Sequence, residues 1–348
     1  MLGIFRFILA LMVVLAHISE QKPFLHFGVF AVFGFYIVSG YLMTLVLCET
    51  YSFKFAPFAI NRALRLYPVY FLTAILAFTA IYITPAPDKF HPAWYMWSRP
   101  QDFLGNIFIF PFEFYDAYFR VIPPAWSVAV ELVCYFLLWA FVARSKATAV
   151  ATLLAATTYH IYSLISGMDW QSRYFPFYAA LLPFSVGACT YHFRSLSRLL
   201  PTKREKLFTA LTIAWVVNLV TCGFLSSFED KKFNIFFYSN FALLGALIFT
   251  LVNSTTVKTF KRSGKILGDL AYPVFLTHWP VAFVISSVVL EGQRRGFDLF
   301  WAALLPCIAI SFLLSKAADS WIEPLRNSVR SRSVRASPDQ NAPAQNAT

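Results

Sequence analysis

The sequence predicts an all-α, polytopic membrane protein: a transmembrane bundle of about ten spans with both termini cytoplasmic. Three observations lead there. Of 348 residues, 58% are hydrophobic and 13% charged, about half the charged share of a soluble domain. Aromatic residues reach 19%, with 39 Phe, which suits a lipid-facing surface with interfacial belts. Apolar runs of about 20 residues, enough to cross the hydrocarbon core, recur along the chain.

The runs fall at 3–20, 27–48, 66–84, 126–143, 148–166, 174–192, 207–225, 235–252, 271–290 and 298–318. The first follows Arg6 as a signal peptide would. Yet Leu15-Ala16-His17-Ile18-Ser19-Glu20 offers no small-residue cleavage site, so the run reads as a retained helix. Between the third and fourth runs, residues 85–125 carry Pro85, Pro87, Pro92, Pro100, Pro111, Pro123 and Pro124. The apolar stretch Phe103–Phe110 inside that segment is too short to span, so it lies in the interface or re-enters. From 326 to 348 the chain is rich in Ser, Arg, Pro, Asn and Gln, the composition of a disordered tail. The expected division is therefore a membrane domain over 1–325 and a cytoplasmic tail over 326–348.

The net charge is +12. In a soluble protein such a balance raises nucleic acid as a partner. Here the basic residues sit in short gaps between apolar runs, which points to topology and anionic lipid instead. With ten spans, the loops on the N-terminal side hold 20 Lys and Arg and the others nine. That asymmetry places both termini in the cytoplasm. The five cysteines, Cys48, Cys134, Cys189, Cys222 and Cys307, lie in apolar runs with no ligand spacing, so neither disulfides nor a metal site is inferred.

An ionisable side chain within a span costs a few kcal/mol, which makes each one a functional candidate. Arg6 and His17 are eleven residues apart, so on one helix they share a stripe, ~20° apart in azimuth and ~16 Å in height. A snorkelling arginine and an interfacial histidine would give the same pattern. Glu131 is the acidic residue within a span, and Ser127, Glu131 and Tyr135 stand at i, i+4 and i+8 on one helix face. A carboxylate there needs a cationic or hydrogen-bonding partner. Arg62 and Arg65, at i and i+3 on the cytoplasmic side, suit phosphate binding or serve as topology charges. His278 lies near mid-membrane before Trp279-Pro280, whose proline loosens the local backbone ladder. Ser39-Gly40 lies at comparable depth.

Several of these residues fall into a recognisable order. Arg6 and His17 form an Arg-x10-His element. Phe33-Gly34-Phe35-Tyr36-Ile37-Val38-Ser39-Gly40-Tyr41 follows. Then come Arg62-Ala63-Leu64-Arg65-Leu66-Tyr67-Pro68, Trp126-Ser127-Val128-Ala129-Val130-Glu131-Leu132-Val133-Cys134-Tyr135, and Leu270-Ala271-Tyr272-Pro273-Val274-Phe275-Leu276-Thr277-His278-Trp279-Pro280, with Glu323-Pro324 at the close. Together they resemble acyltransferase family 3, the ten-helix bacterial O-acyltransferases. Ala271, Phe275 and Gly34 depart from the family's usual Ser, Tyr and Phe, at positions that read as packing.

The resemblance implies an enzyme of the bacterial inner membrane. Its expected reaction moves an acyl group, acetyl by default, from acyl-CoA to a hydroxyl of a glycan such as an exopolysaccharide, O-antigen or other lipopolysaccharide. Acyl-CoA would be a co-substrate, with no metal. On that reading His17 is the general base or a transient acyl carrier, Glu131 orients it, and Arg6 holds the donor or the helix geometry. Arg62 and Arg65 take the CoA phosphates, and the pantetheine arm passes Ser39 and His278. A transporter or flippase for a lipid-linked or small anionic substrate shares the same helices and intramembrane charges.

Overall fold

Each apolar run becomes a helix, because inside a membrane only a helix satisfies all of its own backbone groups. The computed structural model describes residues 1–84, 87–95, 99–199, 204–252, 261–292 and 294–335. The helices are α1 Leu2–Ser19, α2 Leu25–Val46, α3 Phe55–Ile83, α4 Pro87–Phe90, α5 Pro100–Phe108, α6 Ala125–Leu137, α7 Lys146–Ile165, α8 Phe177–His192, α9 Arg204–Leu225, α10 Lys231–Val252, α11 Lys261–Val289 and α12 Phe297–Arg335. Single π-turns extend α2 through Leu47–Tyr51 and α6 through Leu138–Val142. Nine helices among the described residues are long and apolar enough to cross a membrane. The tenth apolar run is α8, which has 16 residues.

Two boundaries differ from those the composition suggests. Helix α11 begins ten residues before its apolar run, so Asp269 belongs to the bundle. Helix α12 continues through Arg335, past the expected start of the tail at 326. Contact with α3, where Asn61 Nδ2 donates to the Arg326 carbonyl, holds the start of that stretch. Residues 336–348, the rest of the expected tail, lie outside the described residues.

Helix α1 packs between α2 and α11, α2 against α8, and α11 against α12 and α3. Glycines permit the closest of these approaches. A Cβ at Gly3 would collide with the Gly264 carbonyl of α11, and one at Gly40 with the Phe184 carbonyl of α8. The first contact sets α1 and α11 side by side and parallel, so residues further along the two helices face each other.

The described residues of the proline-rich segment fold back on themselves, and no helix among them is long enough to cross. Helix α5 is nine residues long and ends at Ile109, whose φ of 63° reverses the chain. Asn106 ties the return strand down. Its Nδ2 donates to the Asp102 and Phe119 carbonyls (2.8 and 3.1 Å), and its Oδ1 accepts from the Val121 N–H (2.8 Å). Buried Trp94 donates to the Val121 carbonyl at 3.2 Å. Phe103, Leu104, Phe108 and Phe114 are left exposed, as fits a segment lying in the interface.

Candidate active site

The α1–α11 contact brings two histidines together. His17 Nδ1 lies 2.9 Å from His278 Nε2, and His278 Nδ1 lies 2.7 Å from the Phe275 carbonyl. A carbonyl oxygen only accepts, so His278 carries its proton on Nδ1 and offers the Nε2 lone pair. His17 must then donate from Nδ1, which leaves its Nε2 unprotonated. Buried His278 thus fixes the tautomer of half-buried His17. A Cβ placed on Gly28 would stand 3.7 Å from His17 Nε2, so the glycine leaves space beside that lone pair.

His17 opens toward one end of the bundle. There it borders a cleft of about 920 Å³ whose walls include His91, Glu113, Arg120, Trp126 and Trp279. The Trp279 ring centroid is 5.4 Å from that of His17 and 4.3 Å from that of His91. The Arg295 guanidinium stacks over Trp279 at 4.3 Å. Burial, with Arg295, His17 and Arg120 close by, lowers His91 to about 3, so its imidazole is neutral. Burial also raises Glu113 to about 7 although its Oε1 accepts the Phe177 N–H at 2.7 Å.

Glu131 sits elsewhere. Its Oε1 accepts hydrogen bonds from Ser39 Oγ and Tyr135 Oη, so the tautomer-fixing role expected of Glu131 falls to His278. The reason is geometric: Glu131 on α6 faces α2 at Ser39, one helix removed from the α1–α11 seam. The i, i+4, i+8 face of α6 does form, with Tyr135 directly on the carboxylate and Ser127 beside it in a void of about 50 Å³. Arg6, Ser39, Tyr272 and Phe275 border the same void. Glu131 and Asp269 are the carboxylates acting on Arg6.

A second cavity of about 240 Å³ joins this void at the opposite end of the bundle and shares Arg6, Ser39, Glu131 and Tyr272 with it. Arg62, Arg65, Tyr135 and Arg326 complete its polar lining. Arg62 donates to Asn61 Oδ1 at 3.1 Å, and Arg65 pairs with Asp269 at 3.0 Å. Ser39 lines the cavity with Arg62 and Arg65, whereas His278 lines neither space and faces His17 instead. Arg6 and His17 therefore serve opposite ends, as their spacing on α1 predicts. Sequence reasoning missed Asp269, which lay outside the apolar run, and Arg326, which the composition assigned to a tail. His91, Arg120 and Arg295 carried no motif.

Comparison with known proteins decides the family. A family model described as an acyltransferase domain, acyltransferase 3, matches residues 2–316. The chain belongs to the acyltransferase 3 family. As a member of it, the protein is a multi-pass membrane acyltransferase, and the histidine pair, the Glu131 cluster and the arginine cavity all lie on matched residues except Arg326. The chain is also similar to an uncharacterized protein of Aquifex aeolicus (strain VF5), 24% identical over 213 residues that span 59% of this chain and 89% of that one. No solved structure matches it.

Proposed function

We propose that this acyltransferase moves an acyl group, acetyl by default, from cytoplasmic acyl-CoA to a hydroxyl of a glycan on the far side of a bacterial inner membrane. The observation that carries the reading is the His17–His278–Phe275 chain, which leaves Nε2 unprotonated on a histidine that borders a large aromatic-walled cleft. The excess of Lys and Arg in the N-terminal-side loops supports a cytoplasmic position for the Arg62 end. There the arginine cavity suits the phosphates of CoA. The His17 cleft would then admit the acceptor.

The steps follow from those placements. His17 Nε2 takes the proton of the acceptor hydroxyl, and the oxygen attacks the thioester carbonyl carbon. The carbonyl electron pair moves onto oxygen, then returns to expel the CoA sulfur as thiolate. The imidazolium gives its proton to that sulfur, so free CoA and the acylated glycan leave together. Through the middle of this sequence His17 is cationic, and its Nδ1–H bond to His278 spreads the charge toward the Phe275 carbonyl. General-base help of this kind contributes roughly 10²–10⁴-fold. Glu131 holds Ser39 and Tyr135 in place and supplies a counter-charge for Arg6 near the thioester end.

Mass spectrometry of envelope glycan from wild-type and His17→Ala strains tests the assignment. Acyl groups should vanish from the variant while the protein still inserts. Wild-type acyl content in the variant would remove His17 from the chemistry.

A further inference from the structure

We propose that Arg326, ten residues beyond the last matched by the family model, completes the polyanion site with Arg62 and Arg65 and reads the nucleotide end of the acyl-CoA donor. The inference rests on the donor reading above and adds a residue and a specificity to it.

Helix α12 does not stop where its apolar run ends. It continues along α3, where the Asn61 Nδ2 of α3 donates to the Arg326 carbonyl at 3.4 Å. Arg326 lines the 240 Å³ cavity together with Arg6, Arg62 and Arg65. The Nε atoms of Arg62 and Arg326 are both out of contact with solvent and have no hydrogen-bond partner. A buried guanidinium nitrogen left unmatched is costly, and an anion entering the cavity would relieve it.

The acids nearby neutralise the cluster only in part: Glu131 and Asp269 act on Arg6, and Asp269 pairs with Arg65. Glu131 is engaged by Ser39 and Tyr135, and Asp269 is engaged by Arg65. Asp319 and Glu323, on the same helix as Arg326, act on it electrostatically, but neither lines the cavity. Arginine forks match phosphate oxygens in geometry and charge. A thioester on pantetheine alone would make no use of them, whereas the phosphorylated nucleotide of CoA would.

The test measures binding to the full-length protein in nanodiscs with two probes, acetyl-CoA and acetylpantetheine, which lacks the nucleotide. Wild type should prefer acetyl-CoA. Arg326→Gln should weaken acetyl-CoA by about tenfold, the scale of one charge-assisted hydrogen bond, and leave acetylpantetheine unchanged. Arg326→Lys, which keeps the charge without the fork, should recover part of the loss. Wild-type acetyl-CoA affinity in Arg326→Gln would overturn the assignment. So would an equal loss for both probes, which marks a purely structural role. Equal binding of both probes by wild type would instead sink the donor reading itself, and the Arg326 assignment with it.

Discussion

His17 Nδ1 and His278 Nε2 stand 2.9 Å apart, joined across two parallel helices. Because His278 is anchored on the Phe275 carbonyl, it acts only as an acceptor toward His17, and one tautomer of the base is selected. His278→Ala should therefore lower kcat by roughly ten- to a hundredfold with KM for the donor nearly unchanged, since a mis-set tautomer costs base strength and not binding. His278→Gln, whose amide oxygen can still accept from Nδ1, should recover part of the rate. A variant whose loss lay wholly in KM would show that His278 contacts donor.

Glu131 gathers two hydroxyl donors on one oxygen. Glu131→Gln keeps an acceptor but removes the charge that balances Arg6, so activity should fall at least tenfold while the protein still inserts. Ser39→Ala and Tyr135→Phe each remove a charge-assisted bond worth about 1.5–3 kcal/mol. Thermal unfolding in detergent should show both single losses and a larger-than-additive double loss, because in each single variant the remaining donor still serves the carboxylate and in the double none does. Strict additivity would mean that the two hydroxyls do not share it.

Gly40 allows α2 to meet α8 at backbone distance. Gly40→Ala places a Cβ against the Phe184 carbonyl, and overpacking of this kind costs about 1–3 kcal/mol. The expected outcome is a lowered Tm, with reduced yield of folded protein. Gly167, with φ +67 and open space around a Cβ, offers a control in which only backbone strain changes.

Glu113 carries a pH signature on the cleft side. Burial raises its carboxyl in the folded protein to about 7, from the ordinary carboxylate value of about 4.5. A raised value means the folded protein holds the proton more tightly than the unfolded chain. The associated stability is thus fully present below about 4.5 and is lost as pH rises through about 7. Glu113→Gln should flatten the decline of Tm over that window, read by thermal unfolding across a pH series. An unaltered decline in the variant would assign it to another group.

Much of this architecture was legible in the chain. The ten apolar runs and the ionisable residues inside them stand out because lipid makes each exception expensive. Arg6 and His17 could be placed at opposite ends from helical spacing alone, and Arg62 and Arg65 fall at the Arg6 end. Pairings between distant helices were not legible. His17 and His278 are 261 residues apart, and nothing in either run states that Gly3 lets α1 close on Gly264. Glu131 looked like the partner of His17 because a carboxylate in a span needs a cationic or hydrogen-bonding neighbour, and that need says nothing about which helices adjoin. Arg326 was hidden for a different reason: a polar amphipathic helix end and a disordered tail share one composition.

The most direct test is release of free CoA by the protein in nanodiscs, where both faces of the bundle are open. The probes are labelled acetyl-CoA and envelope glycan extracted from a strain deleted for the protein. Wild type should release CoA only when glycan is present, in step with label appearing on the glycan. His17→Ala should release none above background while still binding acetyl-CoA. Equal release by wild type and His17→Ala would contradict a base on the first helix.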